Sequence, residues 1–202
     1  MLVREIIMEG GNVFGGRYST SRINREHIQP TLDKYFAELQ QIFPRAGIKP
    51  DNFHPVGSVG KKSSSGDIDL AVDSTALFPT GISSETLQNW NINPEQFTQL
   101  FDKFQQRARS STDEQVAMKT ALVLISNYVN EHASNIHMEP KRVQPGNAYG
   151  MFPQYDEQGN SLGTGVQIDW MVGHLEWLKF SYASDDYDET SNVKGLHRTQ
   201  LM

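Results

Sequence analysis

The stretch Val56-Gly57-Ser58-Val59-Gly60-Lys61-Lys62-Ser63-Ser64-Ser65-Gly66-Asp67-Ile68-Asp69-Leu70-Ala71-Val72 decides how this chain is read. It puts two carboxylates on one face of a predicted strand, directly after a glycine and serine turn. Side chains alternate along a strand, so Asp67 and Asp69 point one way and Ile68, Leu70 and Val72 point the other way, into a core. Two ionised carboxylates this close repel each other and are costly unless a cation lies between them. Mg²⁺ meets that demand, because it takes one or two carboxylates and completes its shell with water and phosphate oxygens.

The order Gly-Ser, polar stretch, Asp-hydrophobic-Asp, apolar run resembles the signature of the DNA polymerase β-like nucleotidyltransferase superfamily. The likeness covers residues 56–73, with one distant acid further on. It implies that Gly57 and Ser58 hold a nucleoside triphosphate, the glycine by letting the backbone approach and the serine by donating to phosphate oxygens. It also implies that Asp67 and Asp69 carry metal. Eight residues, Val59 to Gly66, separate Ser58 from Asp67, fewer than the family usually has, so the turn must be tight. Lys61 and Lys62 sit in that turn, where they either neutralise the triphosphate or are solvated loop lysines.

The resemblance calls for a third carboxylate on a neighbouring strand. In Gly165-Val166-Gln167-Ile168-Asp169-Trp170-Met171-Val172-Gly173, apolar Val166, Ile168, Trp170 and Val172 alternate with Gln167, Asp169 and Met171, and glycines bound the run. Asp169 is a lone acid on a strand suited to burial, which wants a reason. One reason is a strand end reaching water or a turn cap; the other is a third metal ligand.

Composition sets the outer limits. At 202 residues the chain is one domain by length and needs no staples to bury a core. Cysteine is absent, which excludes disulfides and thiolate zinc sites and fits a reducing compartment. No apolar run is long enough to span a bilayer, and Met1 to Gly10 is too charged for a secretory signal, so a cytoplasmic protein is expected.

Helical spacing of Ile28, Leu32, Tyr35, Phe36, Leu39 and Ile42 predicts a helix over about 24–43, closed by Pro44. Further helices are predicted at 94–109 and 113–132, the latter capped by Thr112 or Asp113. A loop or insertion with Pro79 and Gly81 follows Val72. Strands are expected at 136–138 and 148–152, with a turn at 157–160 before the Asp169 strand. The glycine-rich lead at 10–16 reads as a turn packing Val13 and Phe14, and the acidic cluster 184–189 as a solvated loop. Arg22, Arg25 and Lys34 read as charges on one helical surface. Trp90, Trp170, Trp177 and Tyr182 are each open to core packing or to stacking on a base. The tail 193–202 begins a helical pattern and stops.

The expected fold is α+β: a small mixed sheet bearing Asp67, Asp69 and Asp169, with the three long helices covering one face. The resemblance implies a metal-dependent nucleotidyltransferase using two Mg²⁺ or Mn²⁺ ions, both bridged by Asp67 and Asp69, with Asp169 on the ion that activates the acceptor hydroxyl. The alternative is an inactive module that keeps the fold. With a net charge of −6, few backbone phosphates should be contacted, so the expected acceptor is compact: a nucleotide, a small molecule, a protein side chain or a strand end. Titrating labelled single- and double-stranded oligonucleotides at two salt concentrations should therefore give weak binding with a shallow salt slope. Tight binding with a steep slope would reveal a concentrated basic track.

Overall fold

The computed structural model describes residues 13–14, 16–59 and 61–182; Gly60, the start of the glycine-rich lead, the 184–189 cluster and the 193–202 tail lie outside the described residues. The strands are β1 (Ile23–Asn24), β2 (Phe53–Val56), β3 (Ser64–Ser65), β4 (Asp67–Asp73), β5 (His137–Met138), β6 (Asn147–Tyr155) and β7 (Ser161–Gly173). The helices are α1 (Arg25–Ile42), α2 (Ser74–Leu77), α3 (Ser84–Asn89), α4 (Pro94–Gln105), α5 (Asp113–His132) and α6 (Leu175–Tyr182). The chain is mixed α+β. Its five-stranded sheet has the order β2-β4-β7-β6-β5, antiparallel except for the parallel pair β4 and β7, and β1 and β3 form a separate ribbon.

Strand alternation divides the sheet into two faces. Ile68, Leu70, Val72, Ile168 and Trp170 are buried under helices, while Asp67, Asp69 and Asp169 stand on the opposite face. The helical layer is built from amphipathic segments. α1 buries Ile28, Leu32, Tyr35, Phe36 and Leu39, in spite of Pro30 inside the helix. Its Tyr35 ring meets Phe152 of β6 edge-on, and its Thr31 hydroxyl accepts the Tyr155 N–H. α5 starts in a capping box, Thr112 and Gln115 each serving the other's backbone, a device worth about 1 kcal/mol. α4 starts on an Asn93 cap and packs on α5, so it forms an outer layer where direct cover of the sheet was expected.

The structure departs from the sequence expectation in four other places. Residues 74–89 are not loop alone: Asp73 caps α2 and Ser83 caps α3, and Trp90 behind them is fully buried with its indole N–H on the Leu77 carbonyl. α4 stops short of 109. β2, too short and too Pro-interrupted to show in the pattern, forms the sheet edge beside β4. Finally, α6 contacts β4 and β7, and the side chain of its Leu178 lies where a Cβ on Gly173 would point. Gly173 shares the parity of Asp169 along β7, so one helix lies on the acid-bearing face.

At the centre, the Trp170 indole N–H donates to the Tyr35 hydroxyl at 2.9 Å, with both residues fully buried. Burial pushes the Tyr35 hydroxyl's pKa well up, so it stays a neutral acceptor. Changing Tyr35 to Phe leaves that N–H without a partner in the core. The variant should lose about 1–3 kcal/mol in urea unfolding followed by tryptophan fluorescence. An unchanged midpoint would mean that Trp170 finds another acceptor.

Candidate metal centre

Parallel pairing sets Asp67 opposite Gln167, Asp69 opposite Asp169 and Asp73 opposite Gly173. Register continues outward from Asp69 to Val56 on β2 and from Asp169 to Tyr149 on β6. Side chains of register partners share a face, so Asp67, Asp69 and Asp169 come together. One carboxylate oxygen from each lies within 4.8 Å of the other two. Asp73 has the same parity but does another job, since its carboxylate accepts from the Thr75 N–H and hydroxyl at the start of α2. That bonding to Thr75 lowers its pKa.

The three converging acids behave in the opposite sense. Burial raises Asp67, against the pull of its own backbone and the nearby Arg22 charge. Asp69 rises to about 7, through burial first and then the charge of Asp67. Asp169 rises to about 8, chiefly by burial; the Gln167 amide opposes the rise, and the charges of Asp69 and Asp67 add to it. Tyr149 beside them is raised too, by burial and then by Asp169. Crowded, poorly solvated carboxylates are what a hard divalent cation relieves, because its charge favours the ionised form of all three. The residues present therefore fit Mg²⁺ or Mn²⁺.

The Gly57-Ser58 turn stands directly over this cluster. Gly57 has φ +67°, a conformation that favours glycine, and a Cβ there would lie 3.0 Å from an Asp69 carboxylate oxygen. The resemblance implies close backbone approach to a triphosphate at this position; the group that the structure places against Gly57 is the Asp69 carboxylate. The Gly57 N–H donates to the Tyr182 carbonyl at the end of α6. Ser58 is half-buried, and its carbonyl accepts the N–H groups of Lys61 and Lys62 and the Ser65 hydroxyl.

Lys61 and Lys62 are held through their backbones. The Arg25 guanidinium donates to both of their carbonyls, and that of Arg22 donates to the Ser64 carbonyl and hydroxyl. Ser64 and Ser65 pair as β3 with β1. Arg22 and Arg25, read from sequence as plain helical surface charge, thus brace the loop that carries Gly57, Ser58, Lys61 and Lys62; no local pattern revealed this, because the contacts span 36 to 42 residues. Trp90 and Trp170 are fully buried and unavailable to a base, whereas Trp177 and Tyr182 on α6 are 45% and 41% exposed.

On the far side, Val13 borders the acid face, its N–H on the Gln167 amide oxygen. Phe14 is buried, Arg17 pairs with the buried Glu139, and Tyr18 stacks on His137. The Glu139 N–H donates to the Tyr149 carbonyl, which ties this rim to the row containing Asp169. Sequence reading did not select Glu139, Tyr149 or Gln167. Only Gln167 carried a signal, a polar residue sharing the face of Asp169 in an otherwise buried strand.

No known family, no curated protein and no solved structure matches this chain. Among the described residues, no helix is long and apolar enough to cross a membrane.

The raised acids predict a definite pH dependence. Because the folded pKa values of Asp69 and Asp169 lie above the ordinary carboxylate value of 3.8, the folded state holds extra protons between that pH and about 7–8, and their contribution to stability is lost as pH rises through this window. In chelator, thermal stability should fall from pH 5 to about 8.5, more steeply in the parent than in Asp169→Asn. Added Mg²⁺ should reverse the fall at the alkaline end. Identical slopes for parent and variant would mean that Asp169 titrates normally.

Proposed function

We propose that this protein is a metal-dependent nucleotidyltransferase with a polymerase β-like fold, moving a nucleoside monophosphate from a nucleoside triphosphate to a hydroxyl acceptor. The observation that carries this reading is the convergence of Asp67, Asp69 and Asp169 within 4.8 Å of one another, next to a Gly-Ser turn. The three carboxylates would hold two Mg²⁺ or Mn²⁺ ions, which supply activation of the hydroxyl and stabilisation of charge on the triphosphate. Gly57 and Ser58 seat the triphosphate beside Asp69, and the loop bearing Lys61 and Lys62, braced by Arg22 and Arg25, supplies positive charge. The acceptor oxygen forms a bond to the α-phosphorus, the bond to the bridging oxygen breaks, pyrophosphate leaves, and the hydroxyl proton passes to solvent. Tyr149 and Val13, which donates its N–H to Gln167, border the acid cluster. The acceptor is compact, in keeping with a net charge of −6, and the cytoplasm, where nucleoside triphosphates are made, is the compartment this chemistry suits.

A second reading, an inactive module retaining the fold, has one observation in its favour: the Gly57 N–H is occupied by the Tyr182 carbonyl. Incubating the protein with each of four radiolabelled triphosphates, mixed acceptors and Mg²⁺ or Mn²⁺ separates the two. Transfer with pyrophosphate release is expected, and Asp67→Asn or Asp69→Asn should lower it about a thousandfold or more with folding intact. Absence of turnover with every triphosphate and both metals would leave the inactive module as the reading. Loss of folding in the Asn variants, with no metal dependence in the parent, would assign the pair a structural role.

A further inference from the structure

Gln167 is 2% exposed on the acid-bearing face of its strand, two residues before Asp169, and an amide buried there is costly unless bonded. Both of its ends are used. Its Nε2 donates to the two oxygens of Asp169, at 2.8 and 2.8 Å, and its Oε1 accepts the Val13 N–H at 3.2 Å. The Val13 end fixes the orientation, since a backbone N–H only donates and so must meet the amide oxygen, which leaves the amide nitrogen facing Asp169. One donor group thus touches both Asp169 oxygens and leaves each oxygen further lone pairs. A lysine or arginine in its place would neutralise Asp169 and compete with a cation; an acid would repel it. A neutral amide holds the carboxylate and leaves its charge unpaired.

We propose that Gln167 is a positioning residue for the metal centre, holding Asp169 in place for the cation from a side chain that is itself pinned by Val13. This rests on the reading of Asp169 as a cation ligand given above. Hydrogen-bond partners of metal ligands orient those ligands, and their loss typically weakens metal affinity about 10–100-fold. The inference also makes the segment at Val13 part of the centre, although it contributes no ligand.

The test uses the full chain and Mn²⁺ alone, with affinity read from the loss of the free-ion paramagnetic resonance signal. Gln167→Met, close in size and unable to donate, should weaken Mn²⁺ binding about tenfold or more. In an Asp169→Asn background the same change should add nothing. Equal Mn²⁺ affinity in parent and Gln167→Met, or the same loss in both backgrounds, overturns the proposal and leaves Gln167 a packing role. Where Gln167→Met does not fold, Val13→Pro keeps the buried amide but removes the N–H that pins it. That variant should weaken Mn²⁺ by about two- to tenfold, the worth of one hydrogen bond, and no change would overturn the proposal. Failure of the functional reading looks different: Mn²⁺ binds with the expected variant pattern, yet no nucleotide is transferred.

Discussion

Asp69 lies opposite Asp169 only because β4 and β7 pair in parallel in one register, and that pairing joins strands about a hundred residues apart in the chain. Side chains alternate with period two, so a slip of one residue would turn Asp169 under the helices and bring Trp170 out among the acids. The helix-covered face prevents the slip. Ile68, Leu70, Ile168 and Trp170 are fully buried there, and each large apolar side chain contributes about 1.5–3 kcal/mol by leaving water. The bond from Trp170 to Tyr35 of α1 adds direction to that burial. The hydrophobic face therefore holds together, on its reverse, three carboxylates that repel one another.

The acid face is closed from two sides by segments remote in sequence. On one side the Gly57 turn backs on to Asp69 and is tied to the last residue of α6. The loop beyond it keeps its shape because Arg22 and Arg25 satisfy its outward carbonyls, which leaves those guanidinium groups working through the loop backbone. On the other side Phe14 is buried, Arg17 pairs with the buried Glu139, and Tyr18 is stacked on His137. The acids thus sit where burial raises their pKa values yet register keeps their oxygens together. In the proposed function this site holds a divalent cation, and Gln167 is the neutral donor on its most buried member.

Legibility differed by element for physical reasons. α1 and α5 were readable because an apolar stripe at helical spacing is a local pattern, and α5 also carries its cap in the adjacent residues. α2, α3 and β2 were not, because none is long enough to repeat a pattern and each is stabilised by its neighbours; Trp90, for example, is held by the Leu77 carbonyl. The 94–109 helix was expected on the sheet and lies on α5, since amphipathicity shows that a face is covered without showing by what. Asp73 illustrates the same limit within the site. It has the parity of Asp67 and Asp69, and only Thr75 at the start of the following helix shows it to be a cap.

By itself the sequence determined the α+β class, the shared face of Asp67 and Asp69, and the glycine and serine turn before them, because each follows from residues near one another in the chain. Asp169 could be singled out as an acid in an apolar strand, but nothing local placed it next to β4. Tertiary structure alone decided that it faces Asp69, that Gln167 grips it from one side, that Arg22 and Arg25 serve the loop and that α6 crosses the acid face. Those outcomes depend on strand order and register, which are chosen by the fit of the whole buried face.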